Sequence, residues 1–187
     1  ADHARSHMLS PNNLLTPRLR LRQWRPSDLA PFAAINADVD VMRYYPALWT
    51  RAQSDGFAER VTQLIDERGW GFWAVEERQS QQFTGFVGLH IPSASLPFSP
   101  CVEVGWRLAK SYWGLGYATE AAQSAITFGF AQLHLEEIVA FTAISNLKSR
   151  AVMERLGMRR DYEFDHPQVP VESKLRRHVL YRLSKPP

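Results

Sequence analysis

Tyr112-Trp113-Gly114-Leu115-Gly116-Tyr117-Ala118-Thr119-Glu120 is the stretch on which the fold turns. Before it, Cys101 to Leu108 alternates: Val102, Val104, Trp106 and Leu108 share one face, and Cys101, Glu103, Gly105 and Arg107 share the other, as in a strand. After it, Ala118, Ala122, Ile126, Phe130 and Leu133 recur at helical spacing and predict a helix over 117–133. Ile138 to Ile144 is then a continuous apolar run with β-branched residues, which predicts a central strand buried on both faces. Strand, helix and strand in that order make a parallel, right-handed crossover. The two glycines stand at its first corner, where they let backbone amides turn inward, and the following helix adds unpaired donors and a partial positive charge. Such a corner is a cradle for phosphate; the plain alternative is a turn that only closes a strand-to-helix corner.

Outward from this unit the early chain reads as antiparallel. Arg18-Leu19-Arg20-Leu21-Arg22 alternates with period two and predicts a first strand. Pro26-Ser27-Asp28 gives a helix start with Ser27 as N-cap and Asp28 at the positive end of the dipole, and a second helix is expected over 53–67. Between them, Met42, Tyr44, Tyr45, Pro46 and Trp49 form an aromatic loop that either roofs a pocket or packs on the core. Phe72 to Val75 and Phe83 to Ile91 predict a hairpin, and 92–100 a proline-rich loop. On the far side, Asn146 opens a short helix that ends at Leu156, with Gly157 at the left-handed position. Two strands near 158–163 and 177–183 complete the chain.

Composition bounds the rest. With 187 residues, 45% hydrophobic and 22% charged, one well-buried core is expected, and 12% aromatic residues argue against disorder. Residues 1–7 read as an expression-tag remnant before a start at Met8, leaving 8–187 as a single domain. Cys101 stands alone, so no intrachain disulfide or cysteine-rich zinc site can form, which suits the cytoplasm. No apolar run approaches the ~20 residues of a membrane span, and the scattered histidines lack metal-ligand spacing. Five basic residues follow Glu172 without an acid, while 17 basic face 19 acidic before them. The net charge of +3 is therefore local to the C-terminal segment and weak evidence for nucleic acid.

Known phosphate motifs fit poorly. A P-loop needs four residues between its glycines and a Gly-Lys-Ser/Thr end, and a dinucleotide fingerprint needs a third glycine where Thr119 stands. The chain instead resembles the GNAT superfamily of N-acetyltransferases, in the branch similar to the ribosomal-protein enzymes RimJ and RimL. The resemblance runs over Leu15-Thr16-Pro17-Arg18-Leu19, Glu103-Val104-Gly105-Trp106, Tyr112 to Glu120, and Asn146-Leu147-Lys148-Ser149-Arg150 through Met158. It implies an α/β (α+β) acyl-CoA N-acyltransferase fold, with a mixed, splayed sheet of six or seven strands and about four helices. It also implies transfer from acetyl-CoA to a primary amine, either a protein N-terminus or a small molecule, by direct attack in a ternary complex without a metal.

The same resemblance implies coenzyme contacts at Trp113, Gly114, Leu115, Gly116, Tyr117, Ala118 and Thr119 for the pyrophosphate, at Trp106, Arg107 and Leu108 through their backbone for the pantetheine arm, and at Asn146 and Ser149. Two departures stand out: Ser111 replaces the family's usual Arg or Gln, and Leu115 a frequent basic residue, so phosphate binding is expected to rely on backbone dipoles. For the base, Glu103 is the first candidate, against a plain cross-strand pair with Arg107, and His90 is the second. For the acid, Met153 occupies the position of a tyrosine common in the superfamily, and Ser149 is the branch's alternative. Cys101 is assigned to packing. Asp165-His166-Pro167 and Arg176-Arg177-His178 are expected at the acceptor mouth. Two rivals stay open: a coenzyme-binding module without turnover, and a basic protein that associates with RNA or ribosomes. A membrane or nucleic-acid partner is not expected, and a homodimer is left open.

Overall fold

The protein is described by a computed structural model covering residues 14–93 and 95–187; the tag remnant lies outside the described residues. In chain order the strands are β1 (Leu14–Leu15), β2 (Leu19–Arg22), β3 (Phe72–Glu77), β4 (Phe83–His90), β5 (Glu103–Leu108), β6 (Glu137–Ala143), β7 (Arg159–Asp165) and β8 (Arg177–Ser184). The α-helices are α1 (Leu29–Asn36), α2 (Arg51–Arg68), α3 (Tyr117–Gln132) and α4 (Leu147–Arg155). All strands join one sheet in the order β1-β2-β3-β4-β5-β6-β8-β7. The two-residue β1 makes the count eight, one above the upper expectation, and β8 lies between β6 and β7, which local sequence pattern does not reveal.

Each face of the sheet has its own filling. α3 buries Ala121, Ala122, Ala125, Ile126 and Phe128. A Cβ on its Gly129 would meet Leu89 of β4 and Ile138 of β6, each at 3.0 Å, so this helix lies across both halves of the sheet. The opposite face is aromatic: the Phe72 and Phe86 rings lie tilted to one another with centroids 4.8 Å apart, Phe57 of α2 lies 5.2 Å from Phe86, and Phe32 of α1 lies 5.7 Å from Phe57. Gly105 faces this layer, since a Cβ there would approach the Phe72 ring to 3.0 Å. The pleat of β5 is therefore the one its alternation predicts, with Val104 and Leu108 inside and Glu103, Gly105 and Arg107 on the aromatic side.

The expected parallel crossover is present, but the two strands hardly pair. Glu103 and Val139 are the one pair of register partners between β5 and β6 among the described residues, beside a bond from the Val139 amide to the Val102 carbonyl at 3.0 Å. Beyond that point β5 continues to Leu108 against β4 alone.

The first helix starts differently from the expectation. A 3-10 turn at Pro26–Asp28 precedes α1, and Ser27 makes no capping bond. Asp28 stands in this first turn as expected, accepting from the Arg25 amide at 2.8 Å, and it is also buried, taking both Nη atoms of Arg22 at 2.8 and 2.9 Å. The Nε of Arg22 donates to Glu76 at 3.0 Å. The alternating arginines are thus held by carboxylates: in β2, Arg22 by these two and Arg20 by Glu76 at 3.7 Å, and just before the strand, Arg18 by Glu120 of α3 at 2.8 Å. Removing one partner of a buried ion pair strands the other charge, a cost of ~3–5 kcal/mol. Urea unfolding of Asp28→Ala should show a loss of that size. A triple replacement of Arg22, Asp28 and Glu76 by Met, Leu and Gln should lose less than the single change.

Candidate active site

Where β5 parts from β6, the sheet opens into a cavity of about 480 Å³. Its floor is Glu103, Gly105, Trp106 and Arg107 of β5; one wall is Phe141, Thr142, Asn146 and Ser149 from β6 and α4; the other is the loop from Tyr44 to Trp49. The aromatic loop therefore does both things the sequence allowed: Met42 packs into the core while Tyr44, Tyr45 and Trp49 roof the cavity. Because the Val102 carbonyl points to β6, the alternation of the pleat turns the peptide groups of Trp106 to the same side, where β6 has already moved away. A backbone edge is left without a strand partner.

At the far end of β5 the glycine corner has the conformation a cradle needs. Gly114 and Gly116 have φ of +76° and +80°, a region that side-chain-bearing residues seldom occupy. A Cβ on Gly114 would meet nothing within 4 Å, so the corner opens to solvent. Gly116 caps α3 with no side chain, and the first intrahelical bond runs from the Glu120 amide to the Gly116 carbonyl at 3.0 Å. The amides of Tyr117, Ala118 and Thr119 precede that bond and have no acceptor within the helix. Trp113 anchors the corner by donating its Nε1 to the Leu108 carbonyl at 3.0 Å.

Two cations lie beside the corner that the reading of its own residues missed. The guanidinium of Arg18, bonded to Glu120 through Nε, covers the Tyr117 ring at 4.6 Å, and its Nη2 lies 3.4 Å from where a Gly116 Cβ would be. Lys148 of α4 holds its Nζ 4.7 Å from the centre of the Trp113 ring. No local signal marks Arg18, which comes from the bend before β2, about a hundred residues away in sequence. Lys148 was already within a motif stretch, two residues after Asn146, but its proximity to Trp113 is tertiary.

The ionisable groups of the cavity are tuned by burial. Glu103 makes no hydrogen bond or ion pair among the described residues, and burial pushes its carboxyl up to about 8. The alternative pairing with Arg107 does not form: Arg107 donates to Asn36 Oδ1 at 2.8 Å instead. His90 is the cross-strand partner of Glu103 and shares with it a second cavity of about 150 Å³. It stacks on Phe72 at 4.7 Å, and burial, helped by Arg68 and Arg60, holds it down at about 4. His166 and His178 line the main cavity with ring centroids 4.9 Å apart. Burial lowers both, His178 to about 4. The Nδ1 of His178 lies 3.1 Å from the Arg176 carbonyl, which can only accept, so this contact requires the proton on Nδ1.

Asn146 caps α4, accepting from the Ser149 amide at 3.3 Å, and donates to Thr142 Oγ1 at 3.0 Å, so both ends of its amide are engaged. The Ser149 hydroxyl makes no hydrogen bond among the described residues and borders the cavity, as does the buried Met153. Cys101 is partly buried, with its thiol pushed up to about 11 by burial and, secondarily, by Glu103. That is the behaviour of a packing residue and not of a nucleophile.

The profile of the GNAT acetyltransferase domain matches residues 18–159. The chain belongs to the GNAT family. Protein YkkB of Bacillus subtilis is 30% identical over 154 residues, covering 81% of this chain and 87% of its own length. A GNAT acetyltransferase from Bacillus anthracis superposes with a TM-score of 0.75 at 25% identity, over 91% of this chain and 96% of that one. RimL, the ribosomal L7/L12 α-N-protein acetyltransferase solved with coenzyme A, shares the fold with a TM-score of 0.71 at 14% identity, over 90% and 96% of the two chains. The expected GNAT fold and acyltransferase class are thus established. Among the described residues there is no cluster of metal-ligating side chains, and no helix is long and apolar enough to cross a membrane.

The raised Glu103 carboxyl has a consequence for stability. Between its ordinary value of 4.5 and about 8 the folded GNAT domain keeps a proton that the unfolded chain has released, so this group withdraws stability as pH rises through that window. His90 and His178 act in the opposite sense below 6.5, where the unfolded chain takes protons that the buried rings refuse down to about 4. Thermal unfolding of Glu103→Gln should therefore gain on the wild type as pH goes from 5 to 8. A difference between the two that does not vary with pH would contradict the raised value.

Proposed function

We propose that this GNAT protein transfers the acetyl group of acetyl-CoA to the primary amine of a peptide N-terminus or small molecule, by direct attack in a ternary complex. The observation that carries the reading is the unpartnered Glu103 carboxyl on the floor of a cavity whose other end is an open, glycine-cornered helix start. Residues 8–187 then form one domain, and a lone unreactive thiol fits the reducing cytoplasm.

The chain's residues fit the coenzyme. The side-chain-free space at Gly114 and the unbonded amides of Tyr117, Ala118 and Thr119 suit a pyrophosphate, with Trp113, Leu115 and Gly116 shaping the corner. Arg18 and Lys148 add charge that backbone dipoles alone would otherwise have to supply. The bare edge of β5 at Trp106, continuing through Arg107 to Leu108, suits an extended arm with amide groups of its own. Asn146 supports this wall mainly by capping α4, and Ser149 presents its hydroxyl from the first turn. When bound, the coenzyme supplies an acetyl thioester, an electrophile for an amine.

The remaining requirements fall on side chains. An amine attacks only when neutral, and Glu103 is the group able to take its proton. An α-ammonium has a pKa near 8, so transfer to a carboxyl at about 8 is close to isoergic, whereas a lysine-type ammonium near 10.4 would oppose it by ~3 kcal/mol. That match favours an α-amine over a side-chain or polyamine acceptor. His90, held near 4, is too weak a base for this proton and is assigned to supporting Glu103 from the neighbouring strand. Ser149 is placed to donate to the departing sulfur.

Thiol release from acetyl-CoA with a panel of peptides, amino acids and polyamines tests the reading. kcat/KM should rise with pH to a plateau above about 8, and Glu103→Gln should lose that limb together with ~10²- to 10⁴-fold in kcat, the range of a general base. Ser149→Ala should lower kcat with little change in KM. Stabilisation by coenzyme A without thiol release from any acceptor would mark a binding module instead. Calorimetry should separately show Gly114→Glu losing coenzyme A affinity by at least about tenfold, through like charge and a side chain forced to φ near +76°.

A further inference from the structure

Arg107 presents an unsolved electrostatic problem in this fold. Its side chain points from β5 into the aromatic face, and the residue is only 7% exposed. The guanidinium lies 4.4 Å from the ring centre of Tyr45, 4.5 Å from Trp49 and 5.4 Å from Phe86. Nη1 donates to Asn36 Oδ1, a neutral amide that is itself fixed by Ser54 at 3.0 Å. Nε is buried without any hydrogen-bond partner, and no carboxylate pairs with this cation among the described residues.

The same protein shows how it treats a buried guanidinium for purely structural ends. Arg22, equally buried, is held by Asp28 through two bonds and by Glu76 through a third. Ring faces and one amide at Arg107 hold the guanidinium plane rigidly but leave the charge without a counterion, a costly state in a low-dielectric setting. A planar fork of donors, preorganised and short of an anion, is the usual receptor for a carboxylate. Asn36, Trp49 and Ser54 also tie α1, the roofing loop and α2 to this one group, since the Trp49 amide donates to the Asn36 carbonyl at 3.0 Å.

We propose that Arg107 binds a carboxylate of the acceptor, so that the preferred substrate is an amine that also carries an acid group. Within the cavity Arg107 is the one permanent charge: burial holds His166 and His178 in the neutral form, and Glu103 carries its proton over much of the neutral range. An anion entering the cavity meets attraction at Arg107, while the carboxylate that Glu103 becomes as base lies four residues away along β5. Glu103 and Arg107 are four residues apart on one strand face, roughly 13 Å between their backbones. An acceptor can therefore offer its amine at one end and its carboxylate at the other. The acid group is that of an acidic residue near a peptide N-terminus, since the amine and carboxylate of a free amino acid share one carbon and cannot span that separation. The inference rests on the transferase reading above.

Matched acceptor pairs provide the test: short peptides with Glu or Gln near the N-terminus, and free amino acids against their carboxamides, in the thiol-release assay. The wild type should favour the carboxylate member by at least about tenfold in kcat/KM, chiefly through KM, as expected for a charge-assisted contact. The preference should appear in the peptide pair; one confined to the free amino acids overturns the assignment. Arg107→Gln should bring the ratio to about one, with Arg107→Lys intermediate. Because a ratio is read, a general loss of activity in the variant does not mimic the result. If Arg107→Gln does not fold, inhibition of the wild type by succinate decides: competition against the carboxylate acceptor and not against its neutral analogue supports the assignment. A wild-type ratio near one, a ratio unchanged in Arg107→Gln, or equal inhibition of both acceptors by succinate overturns it while leaving the transferase intact. Absence of thiol release from every acceptor overturns both.

Discussion

The parting of β5 from β6 after a single register pair is the constraint on which the rest of the structure depends. Backbone groups in a sheet interior are normally consumed by the neighbouring strand, and a protein that leaves them bare inside a fold gives up hydrogen bonds it could have made. Here the gap is held open from both sides. α3 packs across it through Leu89 and Ile138, so the two halves of the sheet stay joined on one face. On the other face Phe72, Phe86 and the roofing loop line the cavity that this parting leaves. The cavity, the bare edge and the glycine corner are three views of one departure from regular pairing.

Electrostatics follow from that opening. Because the cavity is walled by aromatic rings, burial pushes Glu103, His166 and His178 toward their neutral forms. Glu103 at about 8 can exchange a proton with an amine near neutral pH. Basic residues elsewhere in the molecule are spent differently. Arg177 pairs with Glu163 and Asp165, and Arg182 with Glu137 and Asp161, much as Arg18, Arg20 and Arg22 pair with Asp28, Glu76 and Glu120. The positive balance of the C-terminal segment is therefore partly taken up in ion pairs across the sheet, which weakens a reading of it as a nucleic-acid surface.

Arg107 is the exception to that pattern among the buried arginines. Aromatic faces fix its geometry without neutralising it, while the carboxylates that settle Arg22 have no counterpart at this site. The loop that supplies Tyr45 and Trp49 is anchored through the same residue, so the roof of the cavity and its charge are one assembly.

Much was legible in the sequence because it depends on local periodicity. Alternation along Cys101 to Leu108, the helical stripe from Ala118 and the apolar run at Ile138 are properties of a few consecutive residues, as is the positive φ at the glycine corner. They determined the crossover, the faces of β5 and the candidate site on it. At the helix start near Pro26 the sequence placed Asp28 in the first turn but misassigned the cap to Ser27, and it could not show that the same carboxylate also holds a buried Arg22. Tertiary structure alone decided the place of β8 between β6 and β7, the approach of Arg18 and Lys148 to the corner, and the capture of Arg107 by Asn36 in place of Glu103. Each of these joins residues distant in sequence, and their energies are set by burial and by the partner within reach, quantities that exist only once the chain has folded.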